Sequence, residues 1–346
     1  MKQRMVVAVA ALAGACCAAM PGTASASVAG DWNLAFQSRT AGLFSSIAAI
    51  SKNNSWAVGE LLSGRKTVYR PLIRHFDGSG WKAITISGAR FSSDWVAASS
   101  AKNVWVLGTS TSRTNPTTAY RYDGSRWHKV PIPALTDLQD PVVLGPTSVW
   151  AIGSSGTSAA DVFHWNGRGW HGYNLKLLPE ALSASAANNV WVAGLTFGGS
   201  GQKATAYRWN GTRWLSVAMP HPAVADNPGV TASSPSNVWI GWATASATSA
   251  MHWDGHHWHV MTAPGSVPAN SFNIVPDGHG GDWFGPFARW TGHSWIGPVN
   301  VSPENSGGGF GPVVWIPGAS SYWLAAGVTN TGSSTEEPTI YRYDLP

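Results

Sequence analysis

The chain has 346 residues, 44% hydrophobic and only 11% charged, with a formal net charge of +5. No run of basic residues occurs, which argues against nucleic acid as a partner, because phosphate binding needs clustered Lys and Arg. The 21 tryptophans, the 39 glycines and the lack of any helix-period stretch after residue 26 indicate an all-β protein with many turns.

The first segment, 1–26, reads as a secretory signal peptide. Lys2 and Arg4 precede the apolar "MVVAVAALAGACCAAM" (5–20), which is too short and alanine-rich for a membrane span, and "ASA" (24–26) supplies a small-x-small cleavage pattern. Cleavage after Ala26 predicts a secreted, extracellular protein with no transmembrane segment. The alternative is a lipid anchor on Cys16 at the cell surface, which Ala13 disfavours, since a bulky aliphatic is wanted there. Cys16 and Cys17 both lie in this segment, so the mature chain is expected to hold no disulfide and no thiolate-bound metal.

Two motifs then alternate to the end of the chain. The first is an apolar run around a tryptophan, "SWAVG" (55–59), "NVWVLG" (103–108), "SVWAIG" (148–153), "NVWVAG" (189–194), "NVWIG" (237–241), "DWFG" (282–285) and "YWLAAG" (322–327). The tryptophans at 56, 105, 150, 191, 239, 283 and 323 recur every 40 to 49 residues. The second is "HFDGSGW" (75–81), "RYDGSRW" (121–127), "HWNGRGW" (164–170), "RWNGTRW" (208–214), "HWDGHHW" (252–258) and "RWTGHSW" (289–295). Asp-Gly and Asn-Gly tolerate the positive φ angles of a type I′ turn, so each copy reads as strand, tight turn, strand. A further apolar segment precedes each first motif, giving four strands, a to d, per period.

A repeat of this length with four strands predicts a seven-bladed β-propeller of four-stranded antiparallel blades in one domain, 27–346. The expected blades are approximately 43–87, 91–132, 139–175, 179–218, 229–262, 271–299 and 308–346. Runs apolar on both faces, such as "VWVLG", suit sheets sandwiched between neighbours. The last blade stops at its third strand, whereas "GDWNLAF" (30–36) at the start is an orphan fourth strand with Trp32 in the closing seat. Residues 30–36 are therefore expected to pair with 339–344 and close the ring.

The order "VWVLG … AYRYDGSRW" resembles the kelch class of propeller repeat, although only one glycine follows strand b where kelch repeats carry two. The hairpin is similar to the Asp-box of sialidases, which places the glycine one position later, and to the hairpin of bacterial seven-bladed propeller lectins. The whole pattern most resembles secreted Trp-rich actinobacterial propellers. The lectin resemblance implies sugar binding.

Candidate sites follow from what the repeat leaves over. "HWDGHHWH" (252–259) suggests a two-histidine metal site at His252 and His257, facing each other across the turn, but matching seats in other blades hold no ligands, so no metal is assigned. A basic residue precedes each hairpin aromatic or its counterpart: His75, Arg121, His164, Arg208, His252, Arg289 and Arg342. It could form a cationic ring or fill one recurring structural seat. "DGHGGD" (277–282) supplies too few oxygens for calcium by itself. Glu336 and Glu337 are the one adjacent acid pair, Glu60 and Glu180 stand alone, and no catalytic residue or cofactor is assigned.

In an up-and-down blade the a–b and c–d turns share one end, and the variable b–c and d–a connections share the other. Loops on a rigid scaffold are the usual home of binding groups. Surplus aromatics are the candidate contacts: Trp95, Phe197 and Trp242. The expected function is a monomeric binding module for an extracellular glycan, more plausibly not an enzyme, with a polysaccharide hydrolase or lyase, or a protein-interaction scaffold, as alternatives.

Overall fold

Apolar side chains on both faces of a strand need a neighbour on each side, and the chain meets this need by stacking sheets. The computed structural model describes residues 32–64, 66–113, 116–133, 135, 137–154, 161–198, 201–218, 226–243, 248–262, 274–277, 281–284, 288–292, 294–296, 310–329 and 336–345. The signal-peptide reading lies outside these residues. Among them, no helix is long and apolar enough to cross a membrane.

Strand β1 (Asn33–Gln37) comes first in the chain and belongs to the last blade. Blade 1 holds β2 (Gly42–Ser51), β3 (Asn54–Ser63), β4 (Lys66–Phe76) and β5 (Trp81–Ala83); blade 2 holds β6 (Ser92–Ser100), β7 (Asn103–Thr109), β8 (Thr117–Tyr122) and β9 (Trp127–Val130). Blade 3 follows with β10 (Asp137–Gly145), β11 (Ser148–Ser154), β12 (Val162–Trp165) and β13 (Trp170–Tyr173), and blade 4 with β14 (Leu178–Ala186), β15 (Asn189–Gly198), β16 (Gly201–Trp209) and β17 (Trp214–Val217). Blade 5 comprises β18 (Asp226–Ser234), β19 (Asn237–Ala243), β20 (Thr248–Trp253) and β21 (Trp258–Thr262). Blade 6 is the shortest, with β22 (Ile274–Pro276), β23 (Asp282–Phe284), β24 (Ala288–Trp290) and β25 (Trp295–Ile296). Blade 7 combines β26 (Phe310–Trp315), β27 (Ser321–Thr329) and β28 (Glu336–Asp344) with β1.

The first strands touch in the order β2, β6, β10, β14, β18, β22, β26 and back to β2, so the seven sheets form a ring. The protein is a seven-bladed β-propeller. It has no single core. Each of its seven hydrophobic clusters straddles one seam between neighbouring blades.

Tryptophan builds these seams by one rule. At six of the seven seams the strand-d indole of a blade packs on the strand-b indole of the blade before it: Trp127 on Trp56 (ring centroids 5.7 Å apart), Trp170 on Trp105 (6.1 Å), Trp214 on Trp150 (5.6 Å), Trp258 on Trp191 (6.1 Å) and Trp81 on Trp323 (5.3 Å). Trp32 takes the same seat on Trp283 at 5.9 Å. Burying one indole removes about 150–250 Å² from water, roughly 4–6 kcal/mol gross, most of which ordering the chain cancels.

The N-terminal strand closes the ring as the orphan strand d predicts. Asn33, Leu34, Phe36 and Gln37 pair with Arg342, Tyr341, Ile340 and Thr339. The seam between blades 7 and 1 is fixed from the other side by Trp323, whose Nε1 donates to Ser55 Oγ at 3.0 Å. Polar side chains also link the inner strands: Ser46 Oγ accepts from Val96 N (3.1 Å), Asp140 Oδ2 from Leu182 N (2.6 Å) and Ser183 Oγ from Ala232 N (2.9 Å).

Two local features explain the repeated Gly and Asp. In blades 1 to 5 a bulge interrupts strand a opposite the glycine that ends the strand-b run, for example between Phe44 and Ser46 and between Ser93 and Trp95. A Cβ on Gly59 or Gly108 would lie 1.9 Å from the carbonyl oxygen of Leu43 or Ser92, so only glycine permits this approach. The c–d turn corrects the expected type I′ geometry. Phe76 pairs with Trp81, and likewise Tyr122 with Trp127, leaving four residues in the loop. Only the glycine takes positive φ (Gly124, 98°), while Asp123 Oδ1 accepts the amides of Ser125 (2.8 Å) and Arg126 (2.9 Å). The Asp is there for its side chain rather than for its backbone freedom.

Candidate functional site

The seven basic positions are structural seats. Each is cross-strand to the buried tryptophan of strand b, as His75 is to Trp56 and Arg208 to Trp191. His75, His164 and His252 stack on Trp56, Trp150 and Trp239 at centroid distances of 4.2, 4.1 and 4.4 Å. The guanidinium groups of Arg208 and Arg342 lie 5.6 and 5.5 Å from the ring centres of Trp191 and Trp323. Arg289 instead pairs with buried Asp277. Burial lowers the pKa of all three stacked histidines, that of His164 to about 4, so they are neutral at pH 7.

"HWDGHHWH" is the c–d hairpin of blade 5. The partner of His252 across the ladder is His259, not His257, because Trp253 pairs with Trp258 and the four-residue loop sets the register. His252 Nε2 lies 2.7 Å from Asn237 Oδ1, and His259 Nε2 lies 2.8 Å from Asp254 Oδ2. Among the described residues no group of three or more His, Cys, Asp or Glu side chains assembles to hold a metal. In "DGHGGD", Asp277 faces Arg289 and accepts Gly281 N at 2.8 Å, so its oxygens are engaged within the blade; residues 278–280 lie outside those described.

The three surplus aromatics occupy different environments. Phe197 on β15 is 67% exposed, at the end of a long b–c hairpin. Trp95 on β6 is half-buried against the cluster between blades 2 and 3. Trp242 is only 3% exposed and fills the core between blades 4 and 5, which leaves a ligand no face of its indole to touch. The structure does not bring these three together.

It does form a hollow at the loop-rich end of blade 2. The hollow has a volume of about 570 Å³ and lies between the d–a connection entering the blade, its b–c loop and the connection leaving it. Arg90 and Lys129 present cations, Thr117 and Thr118 hydroxyls, and Tyr120 and Ile132 apolar surface. Tyr120 is held by stacking on Phe91 with ring centroids 5.2 Å apart. Among the described residues neither Arg90 nor Lys129 has a carboxylate partner. Sequence spacing could not show this hollow, because its walls come from three connections.

Glu336 and Glu337 do not converge, since adjacent strand residues point to opposite faces. Glu337 accepts a hydrogen bond from Gln37 Nε2 at 3.0 Å. Glu336 has its pKa raised by burial and then by the charge of Glu60, which reaches it across the seam between blades 7 and 1. The ring closure thus brings together two acids 276 residues apart in numbering, Glu60 and Glu336.

No family profile and no curated protein matches the chain. Among solved structures, YCF48 from Cyanidioschyzon merolae is similar over 91% of this chain and 99% of its own, with a TM-score of 0.61 and 12% identity. A structure of YCF48 bound to D1 peptide gives a TM-score of 0.59 at 14% identity, covering 91% and 97% of the two chains. The six-bladed, fucose-recognising fungal lectin of Aleuria aurantia gives 0.48 at 11% identity, over 88% and 97%. These likenesses concern the fold.

Proposed function

We propose that the protein is a secreted binding module that recognises extracellular carbohydrate through the loop-rich end of the ring. The supporting observation is the blade 2 hollow. Its volume of about 570 Å³ falls within the usual range for small-molecule sites, ~300–1,000 Å³. A sugar ring offers C–H faces to Tyr120 and Ile132 and hydroxyls to the threonines. Arg90 and Lys129 favour a ring that carries a carboxylate, since a guanidinium binds carboxylates with charge-assisted hydrogen bonds. A glycan array, followed by calorimetry on the best ligand, tests the reading. Uronate- or sialate-bearing glycans should bind, and replacing both Arg90 and Lys129 by Ala should weaken them about tenfold or more. An array with no ligand, or an affinity indifferent to both cations, would refute it.

A hydrolytic second reading rests on Glu60 and Glu336. A carboxyl group whose pKa is raised by burial and by a neighbouring acid, as that of Glu336 is, is one part of the arrangement glycoside hydrolysis uses. Reducing-sugar release that disappears in Glu336→Gln would establish it.

A further inference from the structure

The seam between blades 5 and 6 breaks the tryptophan rule. Phe284 on β23 stands where other blades place a small or aliphatic residue, such as Ala57, Val106 or Ala151. It meets Trp239 edge-on at 5.2 Å, and Trp295 packs on Phe284 at 4.8 Å. The hairpin of blade 6 is thereby held off the indole it would otherwise cover. A cleft of about 600 Å³ lies between the blades at the short-turn end, bordered by Asn237, His252, Asp254, His259, Asp282 and Trp290.

Asp282 makes this cleft more than a packing fault. The same strand position holds Val104, Val149, Val190 and Val238 in four other blades; Ser55 in blade 1 accepts the same bond from a neighbouring strand-b indole, but Asp282 brings a second oxygen that the bond does not use. Asp282 is 2% exposed; its Oδ2 accepts Trp239 Nε1 at 2.7 Å, while its Oδ1 is buried and makes no well-formed hydrogen bond, although the Asn237 side chain lies close enough to the carboxyl group to favour its ionised form. Without a donor on that oxygen, burial raises the pKa of the carboxyl group to about 7, and a ligand that brings its own donor and positive charge would favour the ionised form. The remaining walls indicate which donor. Asp254 is held ionised by the amides of His257 and His256 and by His259, and His252 is neutral through burial, so the cleft is anionic. Trp290 supplies an aromatic wall, which favours a cation over a neutral hydroxyl.

We propose that the cleft between blades 5 and 6 is a binding site for a primary ammonium group, which donates to Asp282 Oδ1 beside the Trp290 indole. The site lies at the opposite end of the ring from the blade 2 hollow and does not depend on it. The group could belong to a lysine side chain or to an amino sugar, and both sources carry the same chemistry. The test is titration calorimetry at pH 7 with four probes: Nα-acetyl-lysine amide, its Nε-acetyl derivative, glucosamine and N-acetylglucosamine. At least one amine should bind about tenfold or more tightly than its acetylated counterpart, and which one does so identifies the source. Asp282→Val, which installs the residue that this seat holds in four other blades, should keep the fold and lose that preference. Asp282→Asn, which can still accept from Trp239, should lose it too. Equal affinities for amine and amide, no binding of any probe, or a preference that survives in both folded variants would overturn the proposal.

Discussion

Replacing Trp32 by Ala tests whether the N-terminal strand holds the ring together. Trp32 is 2% exposed and packs on Trp283 and Tyr343 at centroid distances of 5.9 and 5.4 Å. Truncating a buried tryptophan to alanine costs about 3–5 kcal/mol. A chain of this size should lose roughly 5–10 °C of apparent Tm for that change. Leu34 on the same strand provides the control. It is 58% exposed, and Leu34→Ala should stay within about 0.5 kcal/mol of the parent. The assay is thermal unfolding followed by tryptophan fluorescence and far-UV circular dichroism. If Trp32→Ala melts with the parent, the closing strand contributes nothing and the reasoning fails. If Leu34→Ala falls as far, the loss is not specific to the buried indole and the packing argument fails.

Three further outcomes follow from the same structure. Gly108→Ala should destabilise by about 1–3 kcal/mol or more, because its Cβ would meet Ser92 O at 1.9 Å, whereas Gly80→Ala, with open space around it, should be close to neutral in denaturant titrations. Burial lowers the pKa of His164 to about 4, so the unfolded chain binds more protons between about pH 6.5 and 4 and stability drops as pH falls through that window; His164→Arg, the residue of this seat in blades 2, 4, 6 and 7, should flatten the drop in melts at stepped pH. Asp282 has the opposite sign: burial raises its pKa to about 7, the folded chain holds the extra proton, and stability is lost as pH rises towards 7, so the Tm of Asp282→Val relative to the parent should be more favourable at pH 8 than at pH 5.

Most of the architecture is written in the tryptophans. Their spacing reveals the number of blades, and the shortfall of one hairpin against seven strand-b motifs reveals the closure by Trp32. That legibility has a physical cause: six of the seven seams pair the same two indoles, so the pattern recurs with the blades. Turn geometry was less legible, because Asp-Gly fits two kinds of turn and only the bond from the Asp side chain to the next amides distinguishes them. The basic residues were legible as a recurring seat, but not as a cover for an indole, since cross-strand partners depend on a register fixed by the four-residue loop.

The candidate site was far less legible. Trp242 follows the last repeated glycine of its motif and reads as a surplus aromatic, yet it fills the seam between blades 4 and 5. The blade 2 hollow draws on three connections separated in sequence, and Glu60 meets Glu336 only because the ring closes. In the cleft between blades 5 and 6 a signal was available. Asp282 and Phe284 each depart from the residue type their strand positions hold elsewhere, and comparing those positions blade by blade would have found both.

The central functional claim is that the loop-rich end of blade 2 holds the ligand. Its most direct test is a crystal structure of the protein soaked with the tightest carboxylated glycan from the array. The account predicts sugar density between Arg90, Lys129 and Tyr120, with the carboxylate towards the two cations. Density at the short-turn end, or over the axis with the blade 2 hollow left to solvent, would contradict it.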